Sequence, residues 1–277
     1  MKPLYLLVAT AMSCAGFATH SFNNSIKLYA LDCGTIEMFD TAGFSSEGHF
    51  SGPATLANGC FLIRHPKGDL LWDTGHDEAI ADMPDGQPES WGISRTAHKL
   101  TDQLAELGLT TADIDYLALS HWHPDHSGNA GKFRDSLFLA QQDEHAFMFS
   151  KEMKANAGMS KLFAPLETLD TKLFENELDV FGDGTAVIKH MAGHTSGHSV
   201  LLVRLPESGP VLLSGDLHIL EKGMAHGAVP VFNTDKEATH ASQAAFTVLA
   251  EQEGARIIIQ HDMAHFKRLP QFPTYLK

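Results

Sequence analysis

Short apolar runs alternate with stretches of helical spacing along most of this chain. Ile26–Leu31, Cys60–Arg64, Asp69–Asp73 and Tyr116–Ser120 read as strands. Thr185–Lys189, Ser199–Leu205, Pro210–Ser214 and Ala255–Gln260 predict four more. Helical periodicity appears over Ser94–Leu107, where Ala97, Leu100, Leu104 and Leu107 share a face and Gly108 stands where a C-cap belongs. Lys236–Glu253 carries a second helical pattern directly before the last strand. Asp40–Asn58 is rich in Gly, Ser and Thr and predicts a long loop, of the kind that often binds ligands. There is no repeat of fixed period and no linker-like break, so residues 19–277 predict one α/β domain of mixed sheets with covering helices.

The N-terminal segment follows a different rule. Met1 and Lys2 bring one positive side chain, and Pro3 to Ala15 is apolar or small throughout. Gly16-Phe17-Ala18 then offers small residues at the two positions a signal peptidase reads. Residues 1–18 therefore predict a secretory signal peptide, and the mature protein is expected in the periplasm or outside a bacterial cell. No segment reaches the roughly 18 uninterrupted apolar residues of a membrane span. Beyond the signal, Cys33 and Cys60 are the remaining cysteines. An even pair permits one disulfide in an oxidising compartment, but two cysteines make no framework, and the expectation is two buried thiols.

Composition changes the picture in two ways. A formal net charge of −14 over 277 residues repels phosphate backbones and anionic lipid, which argues against nucleic-acid and membrane-surface partners. A small molecule is the expected partner. Histidine numbers 17, far more than Trp and Tyr together, and its value as a metal ligand directs attention to where it clusters.

The clusters stand where strands end. After Tyr116–Ser120 comes His121-Trp-His123-Pro-Asp125-His126, four potential ligands within six residues. A turn leaving a strand can aim such residues at one point, and imidazole with carboxylate is the set a zinc-like ion prefers when water must stay bound. Thr185–Lys189 leads to His194 in the string Gly193-His194-Thr-Ser-Gly-His198. Pro210–Ser214 ends at Asp216, and Ala255–Gln260 ends at His261. Ligands at one end of several strands are how α/β folds commonly build a site.

The string from His121 to His126 resembles the HxHxDH signature of the metallo-β-lactamase superfamily, and Asp73-Thr74-Gly75, the Gly193–His198 string, Asp216 and His261 follow in that superfamily's order. Lys27 to Gly34 and His261 to Phe266 further resemble its N-acyl-homoserine lactonase family. The resemblance implies an αββα sandwich with two divalent metal ions, usually zinc. It assigns His121, His123 and His194 to the first ion, and Asp125, His126 and His261 to the second. Asp216 would bridge both, Asp73 would orient a ligand histidine, and His198 would be structural. The expected reaction is opening of a lactone ring by a hydroxide that bridges the ions, with Asp125 passing a proton to the leaving alkoxide.

Two matters stay open at this level. Lactonases commonly carry a tyrosine two or three residues after the bridging aspartate, whereas Leu217-His218-Ile219 stands here, so His218 is the candidate donor to the substrate carbonyl or else a packing residue. The same metal site could also act on another ester, a thioester or a phosphotriester. Phe39, Phe44, Phe50, Met83 and Trp91 are candidates for an apolar wall, and His49, His65, His76, His98 and His240 read as surface or packing residues.

Overall fold

The computed structural model describes residues 26–277, so the segment 1–18 read as a signal peptide lies outside the described residues. Eight strands form the first sheet, in the spatial order β4 (Gln87–Pro88), β5 (Gly92–Arg95), β1 (Lys27–Met38), β2 (Ala54–His65), β3 (Gly68–Trp72), β6 (Tyr116–Ala118), β7 (Leu137–Gln141) and β8 (Thr171–Phe174). The second sheet runs β13 (Arg256–Ile258), β12 (Gly209–Leu213), β11 (Ser199–Leu205), β10 (Ala186–His190) and β9 (Glu177–Asp179). Both sheets mix parallel and antiparallel pairs.

Strand alternation explains the layering. On β2, Phe61 and Ile63 face the second sheet and meet Ile188, Leu201, Val203 and Leu213, whereas Cys60 and Leu62 face outward. That outer face is covered by α1 (Leu100–Glu106) and by the short helices between residues 142 and 163. On β11, Val200 and Leu202 face the other way and pack against Phe246 and Ala250 of a helix at Lys236–Glu253. The result is helix, sheet, sheet, helix, the metallo-β-lactamase fold. Because β2 and β11 are buried on both faces, they read in the sequence as continuous apolar runs.

Several expected elements shift. The Lys236–Glu253 helix has the expected bounds, with the Asp235 side chain accepting from Ala238 N and Gly254 at φ 59° closing it. The helix expected over Ser94–Leu107 is instead split: Gly92–Arg95 pairs with β1, and only Leu100–Glu106 is helical. Sheet pairing wins over periodicity for Ser94, which is buried opposite Ile36. The predicted loop over Asp40–Asn58 is shorter, since β2 begins at Ala54.

The cysteines are not the free thiols expected: Cys33 and Cys60 form a disulfide with their Cα atoms 5.8 Å apart. The register of β1 against β2 shifts between Asp32 and Thr35, and this irregularity carries Cys33 to Cys60. Gly75 lies against the same bond, where an added Cβ would stand 2.2 Å from Cys33 Cβ.

Candidate metal centre

Parallel pairing of β3 with β6 and of β12 with β13 places their C-terminal ends together, and β10 runs the same way as β12 because each is antiparallel to β11. The turns leaving these strands carry the histidines and aspartates. His121, His123, His194 and Asp216 form one group, and Asp125, His126 and His261 a second; within each group the donor atoms lie within 4.8 Å of one another. Asp216 joins the two. Its Oδ1 is 3.1 Å from His126 Nε2 and 3.0 Å from His261 Nε2, and its Oδ2 is 3.4 Å from His194 Nε2.

The donor set fits two cations. His126 Nδ1 meets Asp73 Oδ2 at 2.9 Å, His194 Nδ1 meets Asn233 Oδ1 at 2.9 Å, and His261 Nδ1 meets the Ala57 carbonyl at 2.8 Å. Each ring therefore donates outward from Nδ1 and turns its Nε2 inward, the atom that would bind a cation. Those inward nitrogens crowd one another: His121 Nε2 is 3.1 Å from His194 Nε2 and 2.8 Å from His123 Nδ1, and His126 Nε2 is 3.2 Å from His261 Nε2. Lone pairs do not bond to lone pairs. Two nitrogens about 2.0–2.1 Å from one tetrahedral ion stand about 3.3 Å apart, close to these separations.

Charge agrees with the geometry. Burial and the neighbouring imidazoles hold His121 well below the usual histidine range, and burial with His194 holds His123 at about 4, so both keep free lone pairs. For His126 and His261 burial works in the same direction, but Asp216 and Asp125 outweigh it and raise both. A pocket that pulls protons onto buried imidazoles is negative enough to suit a cation.

Support comes from residues the sequence assigned and from others it did not. Asp73 is buried with φ 59°, a strained conformation for a non-glycine residue. Its carboxylate accepts from Ser120 N at 2.6 Å and Gln260 Nε2 at 2.6 Å besides meeting His126. His198 is structural, as expected: its Nε2 accepts from Asp216 N at 3.0 Å and its Nδ1 meets the Met191 carbonyl.

Glu144 escaped the sequence. It accepts from Trp122 N at 2.7 Å, Thr195 Oγ1 at 2.8 Å and Gly197 N at 2.9 Å, and so ties the 121–126 turn to the 193–198 turn. Burial pushes its carboxyl up to about 7 against the pull of these donors. No motif marks it, because its role depends on two turns far apart in the chain.

His218 is buried in apolar surroundings. Its ring stands 5.6 Å from Phe246, neither ring nitrogen has a partner, and burial alone lowers it to about 4. Of the apolar candidates, Trp91 lines a cleft of about 250 Å³ that Asp125, His76, Ile80 and Leu162 also border. Phe44 and Phe50 are core residues packed on Ile36 and Leu56, and Phe39 and Met83 are exposed. Phe232, unmarked in the sequence reading, packs 5.9 Å from His194. A separate cavity of about 220 Å³, lined by Asp32, Gln103 and Phe272 among others, includes none of the ligands.

Comparison with known proteins agrees with this architecture. Residues 56–261 match the family described as the metallo-beta-lactamase superfamily. The chain is 30% identical over 224 residues to N-acyl homoserine lactonase AttM of Azorhizobium caulinodans, covering 78% of this chain and 85% of the relative. It is 29% identical over 259 residues to the AttM of Rhizobium radiobacter, covering 89% and 98%. A solved structure of an N-acyl homoserine lactone hydrolase with N-hexanoyl-L-homoserine at its catalytic metal centre superposes with a TM-score of 0.77 at 24% identity, covering 91% of this chain and all of that one.

Proposed function

We propose that this chain, a metal-dependent hydrolase that belongs to the metallo-β-lactamase superfamily and within it to the N-acyl homoserine lactonase family, opens the lactone ring of N-acyl homoserine lactones. The observation that carries the proposal is Asp216, one carboxylate set between two groups of inward-facing imidazole nitrogens. Relatives named as lactonases over most of their length point to the substrate. Bound there, two divalent ions, which we propose to be zinc from the all-nitrogen-and-oxygen donor set, would acidify water and polarise a substrate carbonyl.

The chain's own residues do the rest. Asp125 is the site carboxylate most open to solvent, 22% exposed against 7% for Asp216, and is placed to hand a proton to the leaving alkoxide. Asp73 and Ala57 fix the rings of His126 and His261, so the acceptor geometry exists before substrate arrives. Trp91, Ile80 and Leu162 give the cleft beside Asp125 an apolar wall suited to an acyl chain. His218 is left out of the reaction, because its ring faces apolar neighbours rather than the ligands. The proposal places the reaction outside the cytoplasm, supported by the signal-like pattern of residues 1–18 and by a disulfide suited to an oxidising compartment.

The test is acid release from N-acyl homoserine lactones, a thioester, a phosphotriester and a β-lactam, with chelator and after reloading with zinc. Chelator-sensitive opening of the acyl homoserine lactones, well above the rest, is expected. Activity confined to the phosphotriester or thioester would keep the metal centre and sink the lactonase proposal.

A further inference from the structure

Asp125 sits on a helix of a single turn, Pro124–Ser127, too short to supply N–H partners for its own last carbonyls. In a continuing helix the Asp125 carbonyl would accept from residue 128 or 129. Both N–H groups are engaged elsewhere: Gly128 N donates to the Gly75 carbonyl at 2.8 Å and Asn129 N to Thr74 Oγ1 at 3.2 Å. The donor comes from β2 instead. Asn58 Nδ2 reaches the Asp125 carbonyl at 2.9 Å, across 67 residues of sequence.

The sheet aims that side chain. Asp32 stands opposite Gly59 and Thr35 opposite Ala57, so Asn58 faces the irregular stretch of β1 that holds Cys33 and Gly34. Asn58 is 1% exposed, and its Oδ1 has no partner. A buried amide oxygen left unpaired destabilises a fold, so packing alone does not account for an asparagine here. The preceding residue works on the same ligand group: Ala57 accepts from His261 Nδ1 and donates its own N–H to the His261 carbonyl. Two consecutive residues of β2 thus hold two members of the second group, and the Asp125 carboxylate stands 3.4 Å from His261 Nε2.

We infer that Asn58 is a positioning residue for Asp125: by holding its carbonyl, Asn58 fixes the backbone from which the carboxylate reaches the leaving oxygen. This rests on the lactonase proposal above. In that reaction the ring C–O bond breaks, and the leaving oxygen receives through Asp125 the proton that the attacking water gives up. Asn58 touches neither the substrate nor the proton. An alkoxide departs poorly without a proton, since its parent alcohol is about as weak an acid as water, near 15.7. A thiolate, whose parent thiol titrates at about 8.5, needs far less help. Loss of Asn58 therefore weighs on an oxygen leaving group and little on a sulfur one.

The experiment compares N-hexanoyl homoserine lactone with N-hexanoyl homocysteine thiolactone on the zinc-loaded protein. Wild type, Asn58→Leu and Asn58→Ala are measured, with metal content and the urea midpoint of the metal-free protein read for each. Leucine matches asparagine in bulk without a donor, and alanine keeps the test open should leucine clash. Both variants are expected to lower kcat for the oxygen lactone about 10- to 100-fold, to change the thiolactone less than about threefold, and to keep the wild-type metal content. In an Asp125→Asn background, Asn58→Leu should cost less than about threefold more, because the two residues act as a unit. Equal loss on both substrates, no loss on either, a lost ion, or a loss that adds in full to that of Asp125→Asn would overturn the role of Asn58 while leaving the lactonase proposal intact. A wild type that opens neither ring would sink that proposal, and the assignment of Asn58 with it.

Discussion

The two ligand groups differ less in their side chains than in what holds them. His126 and His261 lean on the sheet: one on the buried Asp73 carboxylate, the other on the Ala57 carbonyl of β2. His194 leans on Asn233, a loop side chain, and Glu144 ties the turn carrying His121 and His123 to the His194 turn. The second group is thus set directly by a charge at strand ends, whereas the first is set by loops bridged through backbone N–H groups. An ion in the second group inherits rigidity from the fold, and the first group stays adjustable on the side where Phe232 is exposed.

The largest effect that sharpens this contrast lies within the second group. Asp125→Asn keeps an oxygen ligand but removes the proton carrier, so turnover should fall by about 100-fold or more while metal content stays near that of the wild type. Steady-state rates beside metal analysis check this. Turnover within about threefold of wild type at full metal content would remove Asp125 from proton transfer.

Asp73→Asn probes the support rather than the chemistry. It removes the charge facing His126 and weakens the acceptors of Ser120 N and Gln260. Metal affinity of the second group should fall about 10- to 100-fold, with the first group little changed. Dialysis against graded chelator should then strip one ion well before the other. If both leave together, the groups are not independently supported and the contrast fails.

Glu144→Gln makes the converse change. The carboxamide keeps one oxygen but sets an NH2 against donors from Trp122, Thr195 and Gly197. A loss of about 1–3 kcal/mol in unfolding free energy is expected, with the first ion now the weaker one. Denaturant curves of the metal-free protein give the first number and chelator titration the second. A variant that loses its second ion first would contradict the assignment of Glu144 to the first group.

These supports also mark how far the sequence could be read. Motif residues were legible because strand ends impose short fixed spacings: His121 to His126, His194, Asp216 and His261 all come together in space. Buried strands such as Ser199–Leu205 were legible because burial on both faces leaves an unbroken apolar run. Glu144 and Asn233 carry no local signal, since each acts on a turn at least 22 residues away in sequence. The disulfide was illegible for a related reason, as it depends on a register irregularity in β1 that spacing does not report. Asn58 fell at the end of the stretch read as a loop, and the carbonyl it serves is visible only once the Asp125 turn is placed beside β2.

The smallest effect separates His218 from the site that Asp216 anchors two residues earlier. Burial alone lowers His218 to about 4, against about 6.5 in an unfolded chain. A histidine depressed by folding is neutral in the native state, so below pH 6.5 the unfolded chain binds the extra proton. Its contribution is fully present above pH 6.5 and is lost as pH falls towards 4, to a depth of up to about 3 kcal/mol. His218→Phe removes that titration and both unpartnered nitrogens. Relative to wild type, the metal-free variant should already be more stable at pH 7.5, where the two unpartnered nitrogens are gone, and its advantage should widen progressively from pH 6.5 down to 4, with zinc-loaded turnover within about threefold. Urea unfolding at four pH values measures the first part. A tenfold drop in turnover at unchanged metal content would instead return His218 to the substrate carbonyl, and would mean that the Asp216 turn serves the first ion and the substrate together.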